Sequence, residues 1–170
     1  MKIIELFVAA YLALSFLSCS CPQSTKSNSS TIDSLSVEYR EAYPDVIQVE
    51  YVGVKELIGS GKAVLIDVRT SEETEVSIIP GAILKKDFQL NRHLYKGKTI
   101  IPYCTIGYRS GLYAKELMAA SFEALNFKGG ILSWINSGGA LQERSGKNTN
   151  KVHVYGRKWN LVPKTFTAQW

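Results

Sequence analysis

The sequence predicts an α/β fold in which helices cover both faces of a parallel β-sheet. Short apolar runs alternate along the chain with segments of helical pattern, and strands separated by helices pair in parallel. The run 62–69 is apolar at most positions, which is typical of a strand buried on both faces. The length of 170 residues is enough for one domain with terminal appendages.

The individual elements follow from local signals. Asp33 or Ser34 can cap a first helix that ends before Pro44, and Ser71 begins an acidic helix that the turn Pro80-Gly81 ends. The expected strands are 62–69, 82–84, 99–103 and 124–127. The expected helices are 33–43, 71 to the turn at 80, 87–95, 110–120 and 131–136.

Cys104 is the candidate functional residue, and it is the only cysteine beyond the first 21 residues. It follows the third apolar run, at the carboxyl end of a strand, where ligands of such sheets bind. A glycine-containing loop then leads into a helix. The N–H groups of that helix start, together with Arg109, favour a thiolate. An inert buried cysteine is the ordinary alternative, but the residues after Cys104 argue against it.

The N-terminus has the pattern of an export signal. The apolar run 6–17 is shorter than the roughly 20 residues of a membrane span. It leads into Ser18 and Cys19, and this resembles a bacterial lipoprotein signal of residues 1–18 that is cleaved before a lipidated Cys19. We therefore expect a flexible tether over 19–32 and a protein anchored by lipid in the cell envelope, facing the periplasm or exterior. A plain cleaved signal and an uncleaved anchor are the alternatives.

The C-terminal residues 141–170 form a basic and aromatic extension. They hold six basic side chains and one acidic side chain, and so carry the whole net charge of +5. Alternation from Val152 to Tyr155 predicts a strand or hairpin laid against the domain. The extension is either a lid or partner site that uses Arg157, Lys158 and Trp159, or an aromatic clamp over an apolar surface. Anionic lipid headgroups suit its charge better than nucleic acid, which we do not expect as a partner.

Four blocks of sequence resemble a single rhodanese domain, the sulfurtransferase module. They are Leu-Ile-Asp-Val-Arg at 65–69, Ile-Pro-Gly-Ala at 79–82, Tyr-Cys-Thr-Ile-Gly-Tyr-Arg-Ser at 103–110 and Gly-Gly-Ile-Leu-Ser-Trp at 129–134. The resemblance covers about residues 49–140 and implies a rhodanese-like parallel sheet with helices on both faces. We expect the domain, with its N-terminal helix, to span 33–140.

The resemblance also implies roles for individual residues. Cys104 would carry sulfur as a persulfide, and Arg109 would hold an oxyanion or orient the loop. Asp67 and Arg69 match a supporting Asp-x-Arg pair. The implied substrate-binding residues are Thr105, Ile106, Gly107, Tyr108 and Ser110.

The chemistry needs a thiolate and backbone donors only. The thiolate attacks a sulfane sulfur, from a donor such as thiosulfate or polysulfide, and a thiol or cyanide then takes that sulfur. No histidine base, cofactor or metal is expected, and Cys19-x-Cys21 lacks the second ligand pair of a metal site. The protein partner, if there is one, is not identified by the sequence.

The loop from Cys104 through Arg109 has six residues, the length found in sulfurtransferases. Related dual-specificity phosphatases have a loop one residue longer, so a phosphatase or an arsenate-type reductase is a weaker alternative. A non-catalytic binding or sensing module is the other. Ile78, Thr105 and Ile106 depart from the pattern of thiosulfate-using members, and apolar side chains in the loop disfavour a small dianion. We expect donors or acceptors with an apolar part.

Overall fold

The computed structural model describes residues 27–170. The expected signal peptide, Cys19 and residues 19–26 of the expected tether lie outside this range. Within residues 27–170, no helix combines the length and the hydropathy needed to cross a bilayer.

The described chain contains six α-helices and nine short strands. The helices are α1 (Asn28–Tyr39), α2 (Tyr51–Gly59), α3 (Ser71–Val76), α4 (Lys85–Asn91), α5 (Tyr108–Ala119) and α6 (Gly130–Asn136). The strands are β1 (Gln48–Val49), β2 (Ala63–Asp67), β3 (Ile83–Leu84), β4 (Thr99–Tyr103), β5 (Asn126–Phe127), β6 (Leu141–Gln142), β7 (Asn148–Thr149), β8 (Lys151–His153) and β9 (Thr167–Gln169).

The central sheet is parallel, as predicted. Strand β2 pairs with β3 on one side and with β4 on the other, and β1 pairs with β5. A parallel bridge between Ile100 and Ala124 joins β4 to the segment that leads into β5. The strand order is therefore β3-β2-β4-β5-β1, which leaves β4 and the residue after it near the middle of the sheet.

Helices cover both faces of this sheet, and alternating side chains of the central strands show it. Leu65 and Ile101 belong to one buried cluster, which includes residues of α1, α2 and α6. Ile66 and Ile100 belong to a second cluster, with residues of α4 and α5. Since neighbouring residues of a strand point to opposite faces, the two clusters lie on opposite sides of the sheet. The predicted α/β architecture is confirmed.

The first helix begins earlier than predicted. The side chain of Ser27 accepts a hydrogen bond from the Ser30 N–H and caps α1, so residues 28–32 are helical and do not belong to a tether. Ile32 is buried in the core, and that contact holds the early turns of α1 in place. Helix α2 was not predicted at all. Strand β5 is also shorter than the expected 124–127.

The C-terminal extension packs on the domain. Strands β6 and β7 form an antiparallel pair, and β8 pairs in parallel with β9 near the C-terminus. Of the expected strand or hairpin at 152–155, the strand is confirmed as β8, whereas the hairpin alternative is wrong, because the partner of β8 begins fourteen residues after its end and runs in the same direction. Val152 and Val154 are fully buried and join the core cluster of α1, α2 and α6.

Replacement of Gly111 tests the packing of α5. An alanine Cβ there would lie 2.3 Å from the ring of Tyr43, so Gly111→Ala should lower the free energy of unfolding by about 3 kcal/mol. Gly59 of α2 is the matched control, since nothing lies within 4 Å of its added Cβ. Gly59→Ala should be neutral or stabilising, by up to about 1 kcal/mol. Urea denaturation measures both, and equal effects would contradict this packing.

Candidate active site

The thiol of Cys104 lies where β4 passes into α5. Cys104 is a free cysteine with only 1% of its surface exposed. Gly107 precedes α5 with φ of 97°, a left-handed conformation that favours glycine. Its N–H donates to Cys104 Sγ at 3.2 Å, and the Ser110 hydroxyl lies 3.6 Å from the same sulfur. One donor of the loop and one of α5 therefore already face the thiol.

Helix α6 holds the start of the loop through its backbone. The Ile131 N–H donates to the Cys104 carbonyl at 2.9 Å, and the Leu132 N–H donates to the Thr105 carbonyl at 3.2 Å. This approach requires Gly130, since a Cβ there would lie 2.2 Å from the Cys104 carbonyl oxygen. The second glycine of the 129–134 block is therefore explained by close contact with the loop.

The end of the loop is held by two further side chains. The Gly107 carbonyl accepts hydrogen bonds from the Tyr43 hydroxyl at 3.1 Å and from the Asn126 side-chain amide at 3.0 Å. Burial and the nearby charge of Cys104 raise the pKa of Tyr43 to about 12, so this hydroxyl stays protonated and can donate. In a planar trans peptide the N–H points away from the C=O. The N–H groups that follow the three bound carbonyls therefore point away from the groups that bind those carbonyls.

The first turn of α5 adds further donors. The first N–H groups of a helix have no partner within it, and glycine at the cap position supplies no side-chain acceptor. The partial positive charge of the helix start lies beside Cys104 Sγ. The start of α5 can therefore bind an anion next to the thiol.

Glu73 is the central charged residue of the site, although it belongs to α3 and was not among the predicted site residues. Its side chain is fully buried and accepts hydrogen bonds from both terminal nitrogens of Arg109, each at 2.7 Å. The Thr105 hydroxyl donates to the same carboxylate at 2.8 Å. The loop is therefore tied to α3 by a bidentate ion pair and a hydroxyl.

The ionised form of Glu73 is strongly favoured. Burial alone would raise its pKa, but hydrogen bonds from Arg109 and from the Thr70 N–H, with the charge of Arg109, lower the pKa to about 2. Thr70 and Glu73 form a capping box at the start of α3. The spacing Thr70-x-x-Glu73 was a sequence signal for this orientation, but it did not indicate Arg109 as a partner.

Arg109 was expected to hold an oxyanion or to orient the loop. Both of its terminal nitrogens are bound to Glu73, and one also contacts Thr105 Oγ1 at 3.0 Å. Its guanidinium lies 4.9 Å from the ring centre of Tyr155. This geometry favours the orienting role.

The loop opens into a cleft of about 360 Å³. Of the predicted site residues, 104–106, 108 and 109 line it, whereas Gly107 and Ser110 contact the thiol without lining the cleft. Lys158 and Trp159, which one of the two alternatives for the C-terminal extension assigned to a lid or partner site, also line the cleft, whereas Arg157 does not. Tyr39 and Tyr155 line it as well and were not predicted. No local pattern marks Tyr39 or Tyr155, because α1 and the C-terminal extension meet only in the folded chain.

Asp67 and Arg69 do not line the cleft. They form a fully buried ion pair at 2.7 Å, and Arg69 also donates to the Ser77 carbonyl at 2.6 Å. The Tyr103 hydroxyl donates to the Asp67 carboxylate and accepts from the Ile79 N–H. This buried network connects the ends of β2 and β4 to the segment 77–79. Its member Tyr103 directly precedes Cys104.

Comparison with known proteins identifies relatives of this chain. Residues 52–137, about half of the chain, match the family described as Rhodanese-like domain. The chain is 35% identical over 102 residues to a tRNA sulfurtransferase of Desulfurococcus amylolyticus. The aligned region covers 59% of this chain and 19% of that protein. It thus spans about a fifth of the length of this relative.

Two solved structures have similar folds. A thiosulfate sulfurtransferase from Pseudomonas aeruginosa aligns with a TM-score of 0.54 and 20% identity, over 72% of this chain and 24% of that one. A Rhodopseudomonas palustris protein of unknown function, described as a possible tyrosine phosphatase, aligns with a TM-score of 0.51 and 22% identity, over 69% of this chain and 96% of that one. These likenesses support the fold.

Removal of the Glu73 charge should destabilise the protein. Glu73→Gln leaves Arg109 without its counter-charge and should lower the free energy of unfolding at pH 7 by about 2–3 kcal/mol. Glu75→Gln is the matched control on the same helix, because Glu75 is 62% exposed in its pair with Arg144. That change should cost less than about 0.5 kcal/mol.

The effect of Glu73→Gln should also depend on pH. The pKa of Glu73 is about 2 in the folded protein, and that of an unfolded glutamate is about 4.3. The stabilisation is therefore complete above about pH 4.3 and is lost as the pH falls towards 2. Urea denaturation at pH 7 and pH 3 should show the gap between wild type and variant narrowing by about 1–2 kcal/mol. A constant gap would contradict the lowered pKa.

Proposed function

Since the chain belongs to the rhodanese-like domain family, we propose that it is a sulfurtransferase that carries sulfane sulfur as a persulfide on Cys104. The observation that carries this proposal is the position of Cys104 Sγ. It accepts the Gly107 N–H at 3.2 Å, beside the uncapped start of α5 and at the base of an open cleft.

The first half-reaction loads the sulfur. With thiosulfate, the Cys104 thiolate attacks the outer sulfur, a new S–S bond forms, and the S–S bond of thiosulfate breaks. Sulfite leaves with the electron pair of the broken bond, so the step needs no oxidant or reductant. The new terminal sulfur stands about 2 Å beyond Sγ, on the side of the loop that holds the N–H donors. Those donors stabilise its negative charge.

The second half-reaction unloads the sulfur. A thiolate acceptor attacks the terminal sulfur and leaves as a hydropersulfide, or cyanide attacks it and leaves as thiocyanate. The Cys104 thiolate is regenerated with the electron pair of its former S–S bond. The backbone donors are fixed before either step, so the loop need not reorganise when charge moves between the two sulfurs.

Phosphate hydrolysis fits the site less well. A phosphate dianion in a loop of this kind needs an arginine fork to bind its oxygens. Both terminal nitrogens of Arg109 are instead committed to Glu73. The loop is also one residue shorter than in the related phosphatases. Sulfur transfer uses the thiol and the backbone donors, and these remain available.

We also propose that the protein is anchored to a membrane through lipidated Cys19. The support is the sequence alone: a short apolar run is followed by Leu17-Ser18-Cys19, and the mostly polar residues 20–26 separate Cys19 from Ser27, the cap of α1. Such an anchor would hold the catalytic domain close to the membrane.

Sulfur loading should be visible in the mass of the protein. After incubation with thiosulfate, polysulfide or mercaptopyruvate, the wild-type chain should gain one sulfur atom, and peptide mapping should locate it on Cys104. Cys104→Ser should gain none, while Cys21→Ser, which keeps the catalytic thiol, should gain sulfur as wild type does. If wild type gains no more sulfur than Cys104→Ser with any donor, the proposed function is wrong.

Lipidation should depend on Cys19 and not on its neighbour. In bacterial cells, the wild-type chain and Cys21→Ala should fractionate with membranes and give an acylated N-terminal peptide that starts at Cys19. Cys19→Ala should lose both properties. Membrane association that survives Cys19→Ala, without an acylated peptide, would indicate an uncleaved anchor instead.

A further inference from the structure

We infer that α1 and the C-terminal extension build a binding site for the organic part of the sulfur donor, and that this site selects anionic donors with an aromatic or apolar body. We call Tyr39, Tyr108, Lys158 and Trp159, which line the cleft together with Cys104, the outer wall. This inference rests on the proposed sulfurtransferase function and concerns the substrate class of the same site.

Most of the outer wall comes from outside the part of the chain that defines the family. The family match covers residues 52–137. Tyr39 precedes it, and Lys158 and Trp159 follow it by more than twenty residues. A site made of these side chains is thus a property of this chain, added to the loop that the family shares.

The aromatic residues of the outer wall contact one another by their edges. Tyr39 lies 5.3 Å from Tyr108 and 6.2 Å from Trp159, measured between ring centres, with interplanar angles of 66° and 69°. Edge-to-face contacts of this kind are favourable and hold each ring in place. The rings therefore form a fixed apolar surface above Cys104.

The cleft is also large for an inorganic anion. Its volume of about 360 Å³ lies within the range of pockets that bind organic ligands, about 300–1,000 Å³. If the aromatic residues served only as a clamp, they would fill the space above the loop. They line an open cleft instead, so an aromatic or branched body can lie against them.

Lys158 supplies the cleft with a positive charge in addition to that of Arg109. Arg109 is paired with Glu73, and its guanidinium also faces the Tyr155 ring. The Lys158 ammonium lies 4.8 Å from the ring centre of Trp159, and within residues 27–170 no carboxylate lies at ion-pair distance from it. Lys158 and the backbone donors can therefore attract the negative end of a donor whose body contacts the rings.

An organic thiosulfonate has this combination of groups. The Cys104 thiolate attacks its outer sulfur, the S–S bond of the donor breaks, and the organic sulfinate leaves with the electron pair. The products are the Cys104 persulfide and the sulfinate, so charge and electrons balance with no further reactant. Benzenethiosulfonate, methanethiosulfonate and thiosulfate undergo the same step but differ in the body attached to the reacting group.

The test measures the second-order rate of Cys104 persulfide formation with these three donors, by stopped reaction and mass spectrometry of the intact chain. We define the preference as the rate with benzenethiosulfonate divided by the rate with methanethiosulfonate. The preference of wild type should be about 10-fold higher than that of a small free thiol. Trp159→Ala should reduce this preference to about 2-fold or less. Urea denaturation of the variant shows independently that it is folded, and Trp159→Leu repeats the test with more bulk retained.

Two residues outside the cleft provide matched controls for Trp159 and Lys158. Trp170 and Arg157 contact each other outside the cleft, with the guanidinium 5.3 Å from the ring centre. Trp170→Ala should keep the wild-type preference. Lys158→Gln should lower the rates with all three anions by about 3- to 10-fold at low salt, and Arg157→Gln should lower them less.

The outcomes separate this inference from the proposed function. If wild type forms no persulfide with any donor, the sulfurtransferase proposal fails. If it forms persulfide but shows no preference for the aromatic donor, or if Trp159→Ala and Trp170→Ala behave alike, only the inference about the outer wall is overturned.

Discussion

The ion pair between the buried carboxylate of Glu73 and Arg109 is the interaction on which the site depends. The carboxylate is fully enclosed, and its charge is compensated by Arg109, the Thr105 hydroxyl and the Thr70 N–H. An uncompensated buried charge costs several kcal/mol, so the folded chain must keep Arg109 against α3. Because Arg109 and Thr105 both belong to the loop around the thiol, this requirement fixes the loop as well as the charge.

The loop is also held by two further sets of contacts to its carbonyls, and its N–H donors are left free as a result. Helix α6 binds the carbonyls of Cys104 and Thr105, while Tyr43 and Asn126 bind the carbonyl of Gly107. The N–H that follows each bound carbonyl points away from the group that binds that carbonyl. The thiol thus faces preorganised positive dipoles in a buried environment, where they act more strongly than in water. That arrangement stabilises a negatively charged sulfur without a histidine base.

Much of this arrangement could be predicted from the sequence, because it depends on local pattern. The apolar run 99–103 correctly predicted β4 and placed Cys104 at its carboxyl end, and the block around Cys104 correctly indicated the family. The role of Glu73 was missed because its partner Arg109 is 36 residues away, and a first-turn glutamate usually faces solvent. The start of α1 was missed because serines that resemble a linker also cap helices. Tyr39 reaches the cleft only through the packing of α1, which no local signal reports.

The central claim is that the backbone N–H groups of the loop hold the sulfur that Cys104 receives. A crystal structure of the protein after exposure to a sulfane donor tests this most directly. The account predicts one additional sulfur on Cys104, within hydrogen-bonding distance of several N–H groups of residues 105–110, with Arg109 still bound to Glu73. A terminal sulfur that points away from those N–H groups, or a loop that releases Arg109 from Glu73 on loading, would contradict it.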